Sequence, residues 1–453
     1  MLDLDSAARE IGAGRRGRNV GFDGVTTDSR QVARGDLFVA LRGERFDGHA
    51  YVDQALAAGA GAAMVDDPEC VATRDASLVL VDDTLHALGQ LAAAWRARFT
   101  LPLVGVTGSN GKTTVKDMLA LVLRAHAGEA AVLATSGNLN NAIGVPLMLL
   151  RLRSQHRYAV IEMGMNHLGE IRYLTRLAAP NAALVTNAGS AHIGELGSRE
   201  AIAQAKGEIY EGLGEGLALI NADDRFADYW RGLNAGRRVL DFGLERPAAV
   251  HGQHAAGVLS VRTPAAAYSV RLAVPGLHNV RNALAACAAA HALGVPPEAV
   301  VHGLEEYAGT KGRLQRKAGR GDVLVIDDTY NANPDSTRAA IAVLAAQPGM
   351  RILVLGDMGE LGEGGPGLHA EVGAQAKAAG IDRLLSLGEL SAEAARAFGA
   401  DGRHFADLEA LCRELIGTLA PGASVLVKGS RFMRMERVVA RLTEGEPVAA
   451  GDH

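Results

Sequence analysis

The stretch Gly105-Val-Thr-Gly-Ser-Asn-Gly-Lys-Thr-Thr114 decides how this chain is read. It follows the apolar run Leu101-Pro-Leu-Val-Gly-Val106 and opens a helical pattern over 113–126. Strand, glycine turn and helix N-terminus in that order make a phosphate-binding loop. Gly108 and Gly111 let backbone N–H groups close around phosphate oxygens, and the helix dipole adds positive potential at the same place. Lys112 is placed to reach the β- and γ-phosphates of a nucleoside triphosphate, and the Thr113 hydroxyl to hold Mg²⁺. The commonest form of such a loop has glycine five residues before Gly111, where this chain has Val106.

Composition narrows the classes around this loop. The chain has 453 residues, a formal net charge of −5, 48% apolar side chains and 21% charged ones. That length predicts about two to four domains at roughly 100–200 residues each. The apolar share suffices for large buried cores, and the lack of a basic excess argues against nucleic acid as a partner. Cys70, Cys287 and Cys412 are far apart, so neither a disulfide framework nor a zinc site is expected. Residues 1–18 alternate charged and apolar types without the apolar run of a secretory signal. No uninterrupted apolar span approaches ~18 residues. Residues 284–293 are apolar but short, flanked by Arg281 and Pro296, and predict a buried core helix. A cytoplasmic monomer, not inserted in a membrane, is the expectation.

Three blocks follow along the chain. Residues 1–99 carry Val25-Thr-Thr-Asp-Ser-Arg30 and Gly35-Asp-Leu-Phe-Val-Ala-Leu-Arg-Gly43. Short strands near 37–41, 61–65 and 78–81 surround a helix near 50–58, and a helix over 84–99 leads to Pro102. Residues 100–313 alternate strand-like runs at 103–106, 131–134, 158–162, 183–187, 217–221 and 239–242 with helical patterns. Residues 248–275 then read as β-rich, before a helix over 277–293. The alternation predicts a doubly wound parallel sheet, with ligands at the strand C-terminal ends. Residues 314–453 restart it with strands near 323–326, 352–355, 383–387 and 424–427. The Gly356-Asp-Met-Gly359 turn there is too loose a pattern for a dinucleotide fingerprint. The expected fold is therefore α/β in three domains: a small N-terminal α/β domain, a central P-loop doubly wound parallel sheet, and a C-terminal Rossmann-like domain.

Polar residues collect at the predicted strand ends. Glu162 closes the run Ala159-Val-Ile-Glu162. A carboxylate at a strand tip beside the loop can hold the Mg²⁺ that bridges ATP phosphates; a solvated strand-end Glu is the alternative. Thr186-Asn-Ala-Gly-Ser-Ala-His192, with Glu195 behind it, puts Asn187, His192 and Glu195 where they could ligate a second metal, although a single His is more often structural. Lys206, in Ala205-Lys-Gly-Glu208 on a predicted helix, would ordinarily be a surface lysine. His278 and Asn279 open a helix and read as cap residues. Arg313, in Gly309-Thr-Lys-Gly-Arg313, stands at a domain junction where an Arg can clamp phosphate or carboxylate. Asp327-Asp-Thr-Tyr-Asn-Ala-Asn333 follows a strand and reads as either a nucleotide-contacting loop or a bare turn. Val427-Lys-Gly-Ser-Arg431 offers an anion site at a strand-to-helix turn.

Taken in order, seven segments resemble the motifs of the Mur ligases: Thr107-Gly-Ser-Asn-Gly-Lys-Thr113, Glu162-Met-Gly-Met-Asn-His167, Asn187 with His192, Ala205-Lys-Gly-Glu208, His278-Asn279, Asp327-Asp-Thr-Tyr-Asn-Ala-Asn333 and Lys428-Gly-Ser-Arg431. The resemblance runs from Asp28-Ser-Arg30 to Arg431. Val106 is no anomaly in that family, whose loop reads Thr-Gly-x-x-Gly-Lys-Thr. The resemblance implies an ATP-dependent amide ligase that works through an acyl phosphate, with ATP and Mg²⁺ as cofactors. The Glu-Met-Gly-x-Asn-His and Asp-Asp-x-Tyr-Asn-Ala-Asn forms resemble the branch that adds D-alanyl-D-alanine to UDP-N-acetylmuramoyl-tripeptide in peptidoglycan precursor synthesis. By the same resemblance Lys112, Glu162, His192 and Lys206 are catalytic. Thr113 and Glu162 would hold a first Mg²⁺, and His192 with a carbamylated Lys206 a second. Thr107, Gly108, Ser109, Asn110, Gly111, Lys112 and Thr113 would bind ATP, together with Asn279, Arg313, Asp328 and Asn331. Ser29 and Arg30 would lie near the UDP group, and Lys428 at the substrate. A folylpolyglutamate-type ligase shares this architecture. A P-loop kinase and a non-catalytic nucleotide switch are the readings from other classes.

Overall fold

The structure, a computed structural model, describes residues 1–44 and 46–443; the last ten residues assigned to the C-terminal block lie outside the described residues. Among the described residues three larger sheets form, of five, nine and six strands, with a two-stranded ribbon at the N-terminus. The α/β class expected from the alternating pattern is what the chain adopts.

The five-stranded sheet runs in spatial order Gly14–Arg16, Leu78–Leu80, Ala62–Val65, Leu37–Val39, Val25–Thr26. Its Leu78–Leu80 strand leads to the helix Thr84–Arg96, whose start is fixed by Asp83 accepting from His86 N. That helix buries Leu88, Leu91 and Trp95. It joins Leu37 and Met64 of the first sheet, with Leu4 of the helix Leu4–Glu10, to Leu103 and Ile161 of the next sheet and Ile209 beside it in one continuous apolar core. Trp95 also donates its indole N–H to the Leu152 carbonyl, at 3.1 Å.

The nine-stranded sheet carries the loop with which the sequence is read. Its seven parallel members lie in the order Val132–Ala134, Tyr158–Glu162, Leu103–Thr107, Ala182–Val185, Leu217–Asn221, Arg238–Gly243, Val250–Ala255. Val258–Arg262 and Ala267–Arg271 extend it as an antiparallel meander, so the β-rich stretch 248–275 belongs to this sheet. Leu103–Thr107 is buried along its whole length, as expected for a parallel strand covered on both faces. It stands where the strand order reverses, which opens a crevice at its C-terminal end. The helices Lys112–Ala127 and Leu277–Ala292 cover one face. Leu277–Ala292 buries almost every residue from Val280 to Ala290, and its alanines allow the close approach.

The six-stranded sheet runs Gln315–Gly319, Val323–Asp328, Ser424–Lys428, Arg351–Gly356, Arg383–Leu387, Gly402–Phe405, with only Gln315–Gly319 antiparallel to its neighbour. It has two apolar clusters of its own, one on each face. Its two edge strands, Gln-Arg-Lys-Ala-Gly and Gly-Arg-His-Phe, are too polar to be read as strands from their pattern. Among the described residues no helix is long and apolar enough to cross a membrane.

Candidate active site

The cleft, about 630 Å³, lies between the C-terminal ends of the nine-stranded and six-stranded sheets. The loop after Leu103–Thr107 forms its floor. Gly111 has φ +82° and caps the helix Lys112–Ala127; a Cβ there would lie 2.3 Å from Asn282 Oδ1. Gly108 has φ +146°, and its Cβ would lie 1.9 Å from Thr186 Oγ1. Both positions therefore demand glycine. Val106 is buried mid-strand, before the turn begins, so glycine is not needed there. Lys112 Nζ donates to the Gly108 carbonyl at 2.7 Å.

The loop is braced from the neighbouring strand. Asn187 Oδ1 accepts from Asn110 N (3.0 Å), Asn187 Nδ2 donates to Asn110 O (3.0 Å), and Thr186 Oγ1 donates to the same carbonyl (2.6 Å). This corrects the expectation of Asn187 as a metal ligand, because both ends of its amide are engaged by the loop backbone. Glu195, grouped with it, is exposed.

Thr113, Glu162, His192 and Lys206 come from four separate elements. Thr113 Oγ1 accepts from Arg313 Nη2 at 3.0 Å. Glu162 ends its strand at 2% exposure; Oε1 accepts from Asn140 Nδ2 (2.7 Å), while Oε2 is buried without a partner. His192 has φ +64°. Its Nδ1 lies 2.7 Å from Glu360 Oε2 without hydrogen-bond alignment. Lys206, within the helix Arg199–Gly207, is fully buried and its Nζ has no partner. The surface-lysine expectation is thereby overturned. Burial first, and then the charge of Lys112, hold this amine well below the usual lysine range.

Three orphaned buried atoms, Glu162 Oε2, His192 Nδ1 and Lys206 Nζ, call for a cation and its ligand set rather than for more protein. Among the described residues no group of three or more His, Cys, Asp or Glu side chains could hold a metal alone. The Thr113 hydroxyl, Glu162 and His192 fit Mg²⁺ as part of a shell completed by phosphate oxygens, as is usual for that ion. Lys206 as an ammonium would repel that ion.

The far wall comes from the last sheet and the linker before it. Arg313 stacks on Tyr330, 4.2 Å from the ring centre. Asp328 accepts from Leu314 N at 3.1 Å. Lys428 lies at the cleft but is 2% exposed; its ammonium donates to Asp328 Oδ2 (2.5 Å) and to the Asn331 carbonyl (2.9 Å). Two protein partners thus occupy the lysine that the sequence places at the substrate, and they fix the Asp327–Asn333 loop. Asn333 caps the helix Pro334–Ala345 and donates to Asn110 Oδ1 at 2.8 Å. Asp335 accepts from Ser190 N (2.7 Å) and Ser190 Oγ (2.8 Å). The cap expected of His278 and Asn279 is corrected: Gly276 is the N-cap, with no side-chain bond. Asn279 instead donates to the Pro275 carbonyl at 2.7 Å. His278 faces the cleft, its imidazole pushed down to about 4 by burial and by the nearby Lys428 and Arg281 charges. Ser29 and Arg30 lie in the first block, outside the cleft lining, with Arg30 paired to Asp28 at 2.9 Å.

Asn140, Asp335 and Glu360 escape the sequence reading. Asn140 sits in Asn138-Leu-Asn-Asn141, a loop with no apolar period. Glu360 follows the Gly356-Asp-Met-Gly359 turn, whose only sequence signal was its glycines.

A phosphate loop on a doubly wound sheet, facing a second parallel sheet across a polar cleft with orphaned ligand atoms, defines an ATP-dependent ligase. The chain belongs to the Mur ligase family: residues 21–96 match its catalytic-domain model, 106–290 the Mur ligase middle domain and 312–431 the glutamate ligase domain. It is similar to UDP-N-acetylmuramoyl-tripeptide–D-alanyl-D-alanine ligase of Escherichia coli strain K12, 44% identical over 95% of both chains. Its fold is similar to a crystal structure of MurF from Acinetobacter baumannii (TM-score 0.90, 37% identity, 98% of this chain and 100% of that one). It is likewise similar to MurF ligase from Thermotoga maritima in complex with ADP (TM-score 0.79, 30% identity, 92% and 96%).

Proposed function

We propose that this chain joins D-alanyl-D-alanine to UDP-N-acetylmuramoyl-tripeptide at the expense of ATP, in cytoplasmic peptidoglycan precursor synthesis. One observation carries the reading: the likeness to ligases of that name spans both walls of the cleft. Amide formation in water is uphill, and ATP supplies the activation. The terminal carboxylate of the tripeptide attacks the γ-phosphorus, giving an acyl phosphate and ADP. The amine of D-alanyl-D-alanine attacks the acyl carbon, and phosphate leaves as the nitrogen gives up its proton.

The residues act mainly by positioning. Thr107, Gly108, Ser109, Asn110 and Gly111 cradle the phosphates through the loop backbone. Lys112 transfers from the Gly108 carbonyl to the β- and γ-phosphates. Asn279, Arg313, Asp328 and Asn331 hold the nucleotide, with Lys428 bracing the last two. Ser29 and Arg30 hold the UDP group. Thr113 and Glu162 would hold one Mg²⁺, and His192 with Lys206 another. When bound, Mg²⁺ neutralises charge on the transferring phosphoryl group. Lys206 takes part as a carbamate: its neutral amine adds to CO₂ and releases a proton, which leaves an anionic ligand where burial disfavours an ammonium. Closure of the last domain excludes water, which would hydrolyse the acyl phosphate. The proposed working unit is a monomer.

Phosphate release with UDP-muramoyl tripeptide, D-alanyl-D-alanine and ATP, each omitted in turn, tests the proposal. Full release should need all three. Turnover on a folate with glutamate would move the chain to the folylpolyglutamate type. Phosphate retained on an acceptor would make it a kinase, and ATP bound without consumption a switch.

A further inference from the structure

The turn over 356–362 docks on the turn over 192–194 from the opposite sheet. Gly194 N donates to the Glu360 carbonyl at 2.9 Å. A Cβ at Gly194 would lie 2.4 Å from Gly362 N. Glu360 has φ +61° and His192, facing it, φ +64°. Two non-glycine residues held left-handed against each other store strain, and strain of that kind persists where position matters to function.

The carboxylates of the cleft differ sharply in what they already hold. Asp223 accepts from Leu244, Glu245 and Arg246 N–H groups, and Asp224 from Ala188 and Phe226. Glu245 is paired with Arg281, and Asp328 with Lys428. Asp335 holds Ser190 and Arg338. Glu162 keeps its free oxygen for the metal. Glu360 is left: its side chain is 49% exposed, and its contact to His192 Nδ1 is close but misaligned. The ligase reading requires an amine to enter beside Lys112 and Arg313, two cations that repel an ammonium.

We propose that the Glu360 carboxylate is the group that receives the ammonium of the amino substrate and holds its nitrogen at the acyl phosphate; one proton passes to solvent before the free amine attacks, and the second is given up as phosphate leaves. This rests on the ligase reading, because only an amine-accepting reaction brings such a cation here. The oxygen stands on the wall opposite the phosphate loop, on the turn that follows the Arg351–Gly356 strand of the six-stranded sheet. The amine is therefore received from the far side of the forming bond.

Glu360→Gln keeps the shape and removes the charge. The variant should raise KM for D-alanyl-D-alanine about tenfold or more, as expected for losing one charge-assisted hydrogen bond. Acyl phosphate formed from ATP and the tripeptide alone, trapped with hydroxylamine, should be unchanged. A second readout is inhibition by a dipeptide analogue with hydroxyl in place of the amino group. The wild type should bind this analogue more weakly than D-alanyl-D-alanine, and the variant should lose most of that discrimination. Unchanged KM and unchanged discrimination would overturn the assignment. So would a variant whose defect lies in the Mg²⁺ dependence of acyl phosphate formation. A wild type that releases no phosphate on D-alanyl-D-alanine would instead overturn the ligase reading itself.

Discussion

At the residue scale the site is marked by side chains whose burial contradicts their chemistry. Lys206 is the extreme case, a fully buried amine with no hydrogen-bond partner in the protein. Lys206→Ala should lose most ligase activity, and bicarbonate-independent rescue by a short carboxylic acid should restore part of it. Activity assayed with and without added acetate or propionate checks this, and full activity in the alanine variant would remove the carbamate. His278 makes a second case. Its pKa in the folded chain is about 4, below the ordinary 6.5. Between those values the unfolded chain binds the proton and the folded chain does not. Stability is therefore complete above pH 6.5 and is lost as pH falls toward 4, by at most about 3 kcal/mol. The ring keeps some solvent contact, which lowers that ceiling. Denaturant unfolding at pH 7 and pH 4.5 should show a smaller acid loss in His278→Gln than in the wild type; equal losses would assign the acid sensitivity elsewhere.

At the scale of elements, glycine carries the phosphate loop. Gly111→Ala places a side chain at φ +82° and against Asn282 Oδ1. It should cost about 1–2 kcal/mol from the left-handed backbone alone and weaken ATP binding as Asn282 is displaced. Calorimetric titration with ATP alongside thermal unfolding reads both, and unchanged values would show that the turn admits a Cβ. This loop, the parallel strands and the α/β class were legible because parallel strands are long apolar runs and the glycines have fixed roles. The polar edge strands Gln315–Gly319 and Gly402–Phe405 were not, since neither has a buried face that repeats. Lys206 as a buried residue was legible only by resemblance: a local sequence does not show that Trp230 and Tyr210 close over its helix in the same apolar core. Glu360 was invisible because only the fold brings its turn to the cleft, against His192, 168 residues away in the chain.

At the scale of the molecule, the last sheet has its own two cores, and its contacts across the cleft are mostly polar: Asn333 to Asn110, Asp335 to Ser190, Glu360 to His192. Cutting the chain after about residue 313 severs no sheet, since Gln315–Gly319 pairs only with Val323–Asp328. The fragment should stay soluble, unfold cooperatively and bind the UDP substrate, yet release no phosphate; ligation by the fragment would show the last domain dispensable. The first sheet is tied differently, through one apolar core that runs from Leu4 and Leu37 by way of Leu88 and Leu91 to Ile161 and Ile209. A shared core of that kind does not hinge. If the UDP group is seated in the first block, as proposed for Ser29 and Arg30, the span from uridine to the phosphate loop becomes a fixed length. The protein is then a ruler: a peptide whose end falls short of the γ-phosphate, or overshoots it, is not activated however well its nucleotide binds.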